Sequence, residues 1–200
     1  MIGKKIAFFD FDGTITTKDT FLEMIKFQSG KLSFYLGFIL YSPWLVAFKF
    51  KLIANDEVKQ KILTYYFGGK PEKSFQETCD SFGEEKLPLL IRPAAILEIK
   101  RLRDEGFELV IVSASADNWL KKWCNSHNLK LVATKLEISN GIVTGRIEGK
   151  NCHGEEKVVR ILQQWNLGNY REIYAYGDSS GDKPMLALAT KSYYKPFRSE

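Results

Sequence analysis

Apolar and polar positions follow two periods along the chain. Three short apolar runs each end at a polar side chain: Lys5–Asp10 (KIAFFD), Glu108–Ser113 (ELVIVS) and Glu172–Asp178 (EIYAYGD). A run that stays apolar on successive residues and stops at a turn predicts a strand buried on both faces. Between and after these runs the spacing turns helical. Pro93–Glu105 opens on proline and is stopped by Gly106; Asp117–His127 follows the second run. Glu155–Trp165 places Val158, Ile161, Leu162 and Trp165 on one predicted face, and Ser179–Asp182 precedes a predicted helix over Lys183–Ala189. Strands alternating with helices predict an α/β fold with a parallel sheet covered on both sides. In such sheets ligands bind at the carboxyl ends of the strands, where Asp10, Ser113 and Asp178 stand.

Two stretches depart from that alternation. Asn140-Gly141, between Leu136-Glu137-Ile138 and Ile142-Val143-Thr144, predicts a small antiparallel hairpin flap. From about Thr17 to Leu90 there are helical signals and no strand. Asn55 caps a predicted helix with Val58, Ile62 and Tyr66 in phase and Gly68-Gly69 beyond it; Pro71 opens another with Phe75, Cys79 and Phe82 in phase. The expected organisation is a core from residues 1–16 and 92–200, with 17–91 inserted as an all-helical domain.

Charge changes the picture of that insertion. The chain carries 29 Lys and Arg against 24 Asp and Glu. Residues 26–70 hold seven Lys and two acids, which accounts for the whole excess of +5, and they also hold 11 of the 27 aromatic residues. Leu32–Phe50 is nearly uncharged, but Ser42-Pro43 breaks it, and a membrane crossing needs about 20 apolar residues. It reads as an interfacial or deeply packed helical pair. The three cysteines suggest no disulfide framework, and two histidines without C-x-x-C spacing give no zinc pattern. With no signal-peptide pattern after Met1, a cytoplasmic chain is expected, peripheral at the inner face of a membrane if residues 26–70 meet anionic lipid.

The chemistry gathers at the strand ends. Asp10-Phe11-Asp12-Gly13-Thr14 puts two carboxylates two residues apart just beyond the first strand, where one can attack while the other moves a proton. Gly177-Asp178-Ser179-Ser180-Gly181-Asp182 adds two acids suited to a hard cation. Ser113 offers a hydroxyl to an anion, with backbone N–H groups such as that of Ala114 beside it. Lys157 lies in a first helical turn, where the macrodipole favours acids such as Glu155 and Glu156. A misplaced charge of that kind is a functional signal. Taken singly, each has a bland reading as a solvated turn or a helix cap.

Together, strand-DxDGT, strand-Ser, helix-Lys and strand-GDxxxD resemble, in order, the four motifs of the haloacid dehalogenase superfamily, over residues 4–16 and about 92–196. The position of the insertion is similar to the branch with a helical cap that includes phosphoserine phosphatases, and Asn151–Lys157 (NCHGEEK) resembles members that include phosphatidylglycerophosphate phosphatases. The resemblance implies a Rossmann-like core and a Mg²⁺-dependent phosphomonoesterase. In it Asp10 is the nucleophile that becomes an aspartyl-phosphate, and Asp12 is the acid and base. Ser113, Ala114 and Lys157 hold the phosphoryl oxygens; Asp10, Asp12 and Asp178 hold the metal, with Asp182 behind them. The substrate would be a small-molecule or lipid phosphate monoester, with phosphatidylglycerophosphate and phosphoserine as alternatives. Asp19 stands where phosphoserine phosphatases carry Glu, and residues 26–70 contain no Arg to match their cap arginine. A receiver-like phospho-switch would carry its phosphorylated Asp on a later strand and no insertion. A nucleic-acid module would rest on the Lys-rich stretch alone, so no nucleic-acid partner is expected.

Overall fold

The computed structural model describes residues 3–40, 42 and 55–198, with the side chains of Asn55 and Asp56 excepted. Trp44, Phe48, Lys49, Phe50 and Lys51, which contribute to the aromatic and basic character of 26–70, lie outside the described residues, as does the side chain of the expected cap Asn55. Strand β1 (Lys4–Phe9) occupies the middle of a sheet. It pairs in parallel with β3 (Phe107–Ala116) on one side and β6 (Tyr170–Gly177) on the other. The sheet continues through β4 (Lys130–Ser139), β5 (Ile142–Glu148) and β2 (Lys70–Pro71) at one edge and β7 (Lys191–Tyr194) at the other.

Alternation along β1 shows why the apolar runs carry no polar residue. Ile6 and Phe8 enter a cluster with Val110, Val112, Ile161, Trp165, Ala175 and Met185, while Ala7 and Phe9 enter the opposite cluster with Leu109, Ile111, Leu102, Tyr174 and Tyr176. All four β1 side chains are completely buried. Each such aliphatic or aromatic group contributes about 1.5–3 kcal/mol on leaving water. The helices responsible are α4 (Pro93–Asp104) on the second face and α6 (Glu155–Gln164) with α7 (Lys183–Ala187) on the first.

The fold differs from the sequence expectation in three ways, two in the sheet and one in a helix. The hairpin around Asn140 (φ 51°) and Gly141 (φ 73°) is the far end of a long β4 whose first half pairs in parallel with β3, so it extends the main sheet. Strands β4 and β7 add two parallel pairings that the apolar pattern did not announce. Leu162 is 52% exposed, because the inner face of α6 runs through Lys157, Ile161 and then Trp165 at successive four-residue steps.

Between β1 and α4 the regular structure of the described residues is helical apart from the two-residue β2. It forms α1 (Thr20–Leu40, kinked at Gly30), α2 (Asn55–Phe67) and α3 (Glu72–Glu85). The two ends of this stretch are tied together. Thr17 N donates to Leu90 O (2.8 Å) and Arg92 N to Ile15 O (2.8 Å). Phe75, Cys79 and Phe82 of α3 are buried, as their spacing predicts, and α3 and α5 (Asp117–Ser126) pack together. Among the described residues no helix is long and apolar enough to cross a membrane.

α2 is held to β5 at a point of backbone contact. Gly145 has φ 78°, and a Cβ there would lie 2.3 Å from Thr64 Cα. Thr64 Oγ1 also donates to Gly145 O (3.2 Å). Gly145→Ala is therefore expected to lower stability by about 2 kcal/mol or more, from strain and forced separation together. Thermal melting checks this, and a change within about 0.5 kcal/mol would contradict the contact.

Candidate active site

Two strand ends and the start of a helix converge on one cluster of charge. Asp10 follows β1, and its amide donates to Tyr176 O of β6 (2.8 Å), which fixes the turn against the neighbouring strand. Lys157, in the first turn of α6, is 1% exposed. Its ammonium donates to Asp10 Oδ1 (2.6 Å) and to Asp182 Oδ1 (2.7 Å). The locally unfavourable position of Lys157 is thus answered by two carboxylates that arrive from β1 and from the loop after β6. Burial works against that ammonium, but Asp10 and Asp182 outweigh it and raise its pKa above the ordinary lysine value.

Each carboxylate is held by further donors. Thr14 Oγ1 donates to Asp10 Oδ2 (2.8 Å). Asp182 Oδ2 accepts from Ser179 Oγ (2.7 Å), Ser179 N (2.9 Å) and Asp178 N (3.2 Å). Burial pushes the Asp10 carboxyl up to about 7 despite Lys157 beside it, with Asp182 and Asp12 adding to the rise. Burial also opposes ionisation of Asp182, yet the Lys157 contact keeps its pKa below the usual range. The same ammonium therefore serves two acids in unequal surroundings.

Asp12 points away from Lys157 to other partners. Its Oδ1 accepts from Thr20 N (2.6 Å) and its Oδ2 from Ser115 Oγ (2.6 Å), with Ser113 Oγ at 3.4 Å. Ser113 is completely buried at the end of β3, where its Oγ also accepts from Ser115 N (3.0 Å). The β3–β4 register shifts between Ser113 and Ala116, which turns this short segment around Asp12. Ala114 presents its carbonyl to Lys59 Nζ of α2 (2.6 Å), which also donates to Asn151 Oδ1 (2.8 Å).

Of these groups, Asp10, Asp12, Ala114, Ser115, Lys157 and Asp182 line a cavity of about 490 Å³, whereas Ser113 and Asp178 stand outside its lining. Phe21, Leu22, Phe38, Val58 and Ile62 supply an apolar wall, with Asp19 and Lys59 also lining the space. Burial and the nearby Asp12 push the Asp19 carboxyl up to about 6. A larger hollow of about 690 Å³ shares none of the site carboxylates. Ser115 and Lys59 were not singled out as site residues by sequence, and Asn151 entered only as the first residue of the NCHGEEK stretch. Ser115 had a signal, two residues beyond Ser113 on the same strand; Lys59 had none beyond its charge, since its reach depends on how α2 packs.

The donor set fits a hard divalent cation. Asp10, Asp178 and Asp182 each offer a carboxylate oxygen within 4.8 Å of the others. All are oxygen ligands, as Mg²⁺ requires. Gly13, at φ 81°, leaves the space beside Asp178 open: a Cβ there would lie 2.5 Å from Asp178 Oδ2. Asp182 accepts from Lys157, from the Ser179 hydroxyl and amide and from the Asp178 amide, whereas Asp10 accepts from Lys157 and Thr14 and Asp178 from Arg198, so Asp10 and Asp178 are the less heavily bonded carboxylates.

The sequence matches the haloacid dehalogenase-like hydrolase family over residues 7–187. It is 33% identical over 195 residues to Protein CicA of Caulobacter vibrioides, covering 96% of this chain and 86% of that one. It is also 33% identical over 95 residues to the phosphoserine phosphatase of Lactococcus lactis, covering 46% and 44% of the two chains. A solved structure of a protein of unknown function from Bordetella pertussis Tohama I superposes with a TM-score of 0.83 at 21% identity, covering 95% of this chain and 89% of that one.

Removing one carboxylate from the cluster exposes its energetics. Asp182→Ala leaves the buried Lys157 ammonium with a single acid and strips Ser179 of its acceptor, so a loss of about 3 kcal/mol is expected. Urea denaturation in the presence of a chelator reads it without contribution from a bound metal. A loss under about 1 kcal/mol would show that Lys157 does not depend on that contact.

Proposed function

The chain belongs to the haloacid dehalogenase-like hydrolases, and from that premise we propose that it is a phosphatase that cleaves phosphate monoesters through a covalent intermediate on Asp10. The observation that carries this reading is the buried Lys157 ammonium bonded at 2.6 Å to Asp10 Oδ1, at the floor of a cavity. An anionic nucleophile approaches a phosphate dianion only where fixed positive charge offsets their repulsion. Asp10 attacks phosphorus as the bond to the leaving oxygen breaks, and Asp12 gives that oxygen its proton. Water then attacks the aspartyl-phosphate while Asp12 takes a proton back, which returns Asp10 and releases inorganic phosphate.

Asp12 is set for that exchange by hydroxyl and amide donors from Ser115 and Thr20 that fix its carboxylate. Ser113 and the Ala114 amide offer donors to phosphoryl oxygens in this reading. Asp10, Asp178 and the main-chain carbonyl of Asp12 would hold Mg²⁺, with Asp182 positioning Lys157 and the Asp178 loop behind them. Bound there, the ion would add positive charge beside the phosphoryl group.

Residues 17–91 act in this reading as a cap over the strand ends. The apolar wall of Phe21, Leu22, Phe38, Val58 and Ile62 favours a phosphate monoester with an apolar body. The outer side of α1 favours a lipid source, because Leu32, Tyr35, Leu36, Ile39 and Leu40 are 56–75% exposed at helical spacing. Such a stripe, with Lys26, Lys31, Lys49, Lys51 and Lys61 in the same basic segment, suits an anionic membrane surface, each lysine near it contributing about 1 kcal/mol; Lys59, expected with them, is turned instead to Ala114 O and Asn151 Oδ1. A lipid phosphate such as phosphatidylglycerophosphate then reaches Asp10 from the bilayer.

Asp10→Asn is expected to retain the fold and to lower turnover of p-nitrophenyl phosphate below about 1% of wild type. Higher residual activity in a preparation free of other phosphatases contradicts covalent attack by Asp10. The protein is further expected to sediment with anionic but not zwitterionic liposomes, and Lys49→Glu with Lys51→Glu to weaken this in a salt-sensitive way. Equal recovery in the supernatant with both, together with rapid hydrolysis of phosphoserine, replaces the lipid reading with a soluble substrate.

A further inference from the structure

The segment after α7 returns to the site and brings a cation with it. β7 pairs with β6 through Tyr176↔Tyr193 and Gly177↔Tyr194. Lys195, at φ 54°, donates its amide to Gly177 O (2.8 Å). The rings of Tyr193 and Phe197 both stack on Tyr176, at 4.6 Å and 5.6 Å between centroids and within 14° of parallel. Tyr176 is itself buried against Phe9 of β1 (4.4 Å, 8°), so residues 193–197 are anchored to the centre of the sheet. Their course delivers Arg198 Nη2 to 2.6 Å from Asp178 Oδ2.

That contact completes a division of charge. Lys157 donates to Asp10 and Asp182, whereas Asp178 forms an ion pair with Arg198. The guanidinium side chain is 43% exposed and the Asp178 side chain 16%, so Arg198 can swing into solvent without stranding itself in the interior. A guanidinium on Asp178 Oδ2 disfavours a divalent cation on that carboxylate, because the two positive groups repel one another at such short range.

We propose that Arg198 is a built-in competitor for the metal ligand Asp178, holding its carboxylate until a divalent cation displaces it and thereby setting how much cation the site needs. This rests on the reading of Asp178 as a metal ligand. The anchoring of residues 193–197 keeps the guanidinium close, so the competition is intramolecular and independent of protein concentration.

The test is direct Mn²⁺ binding to chelator-treated protein, followed by the electron paramagnetic resonance signal of the free ion. Arg198→Ala and Arg198→Gln are each expected to bind Mn²⁺ about three- to fivefold more tightly than wild type, the range set by one partly exposed ion pair. Unchanged or weaker binding in both variants, with melting temperatures like wild type, overturns the proposal. Asp178→Asn separates this from the premise. If it loses Mn²⁺ binding while the Arg198 variants match wild type, only the role of Arg198 falls; if it binds as wild type does, the metal-ligand reading falls, and this proposal with it.

Discussion

The buried ammonium of Lys157 is the contact on which the rest of the site depends. A lysine removed from water is stable only beside opposite charge, and here Asp10 and Asp182 come from two different crossings of the sheet to supply it. The requirement fixes the rotation of α6, since aiming Lys157 inward carries Ile161 and Trp165 inward and turns Leu162 to solvent. It also fixes the loop after β6, where Ser179 and the Asp178 amide hold the second oxygen of Asp182. A single ion cluster thus couples strand order, helix phase and loop conformation.

Asp12 is governed by a second, separate set of donors, and that separation gives two carboxylates two residues apart different chemistry. Asp10 sits against a cation in the interior, whereas Asp12 accepts from Ser115 Oγ and Thr20 N at the edge of the cavity. In the proposed reaction the first attacks and the second carries protons. Helices α1 and α2 add the wall that faces the leaving group, with Lys59 bridging from α2 to Ala114 O and Asn151 Oδ1. Gly145 sets how closely α2 approaches the sheet, so the position of Lys59 is decided by a backbone contact far from it in sequence.

Much of this is legible in the sequence. The runs ending at Asp10, Ser113 and Asp178 declared three parallel strands because their side chains are buried on both faces, and a fully buried strand has little choice of residue. Asn140-Gly141 declared the hairpin, since both positions take positive φ. Lys157 was conspicuous because its charge opposed the helix dipole. β7, by contrast, reads Lys-Ser-Tyr-Tyr and lies at an edge, where a half-exposed strand needs no apolar run. Ser115 joined the site through a register shift within β3, and Lys59 and Arg198 through packing at distances in sequence that no local pattern records.

The account places covalent chemistry on one oxygen of one side chain. Rapid acid quenching during turnover, followed by borohydride reduction and peptide mass analysis, converts any aspartyl-phosphate to homoserine and marks its position. The structure leads to homoserine at residue 10 and unmodified aspartate at residue 12. Homoserine at Asp12, or none at either position in samples quenched during steady turnover, would contradict it.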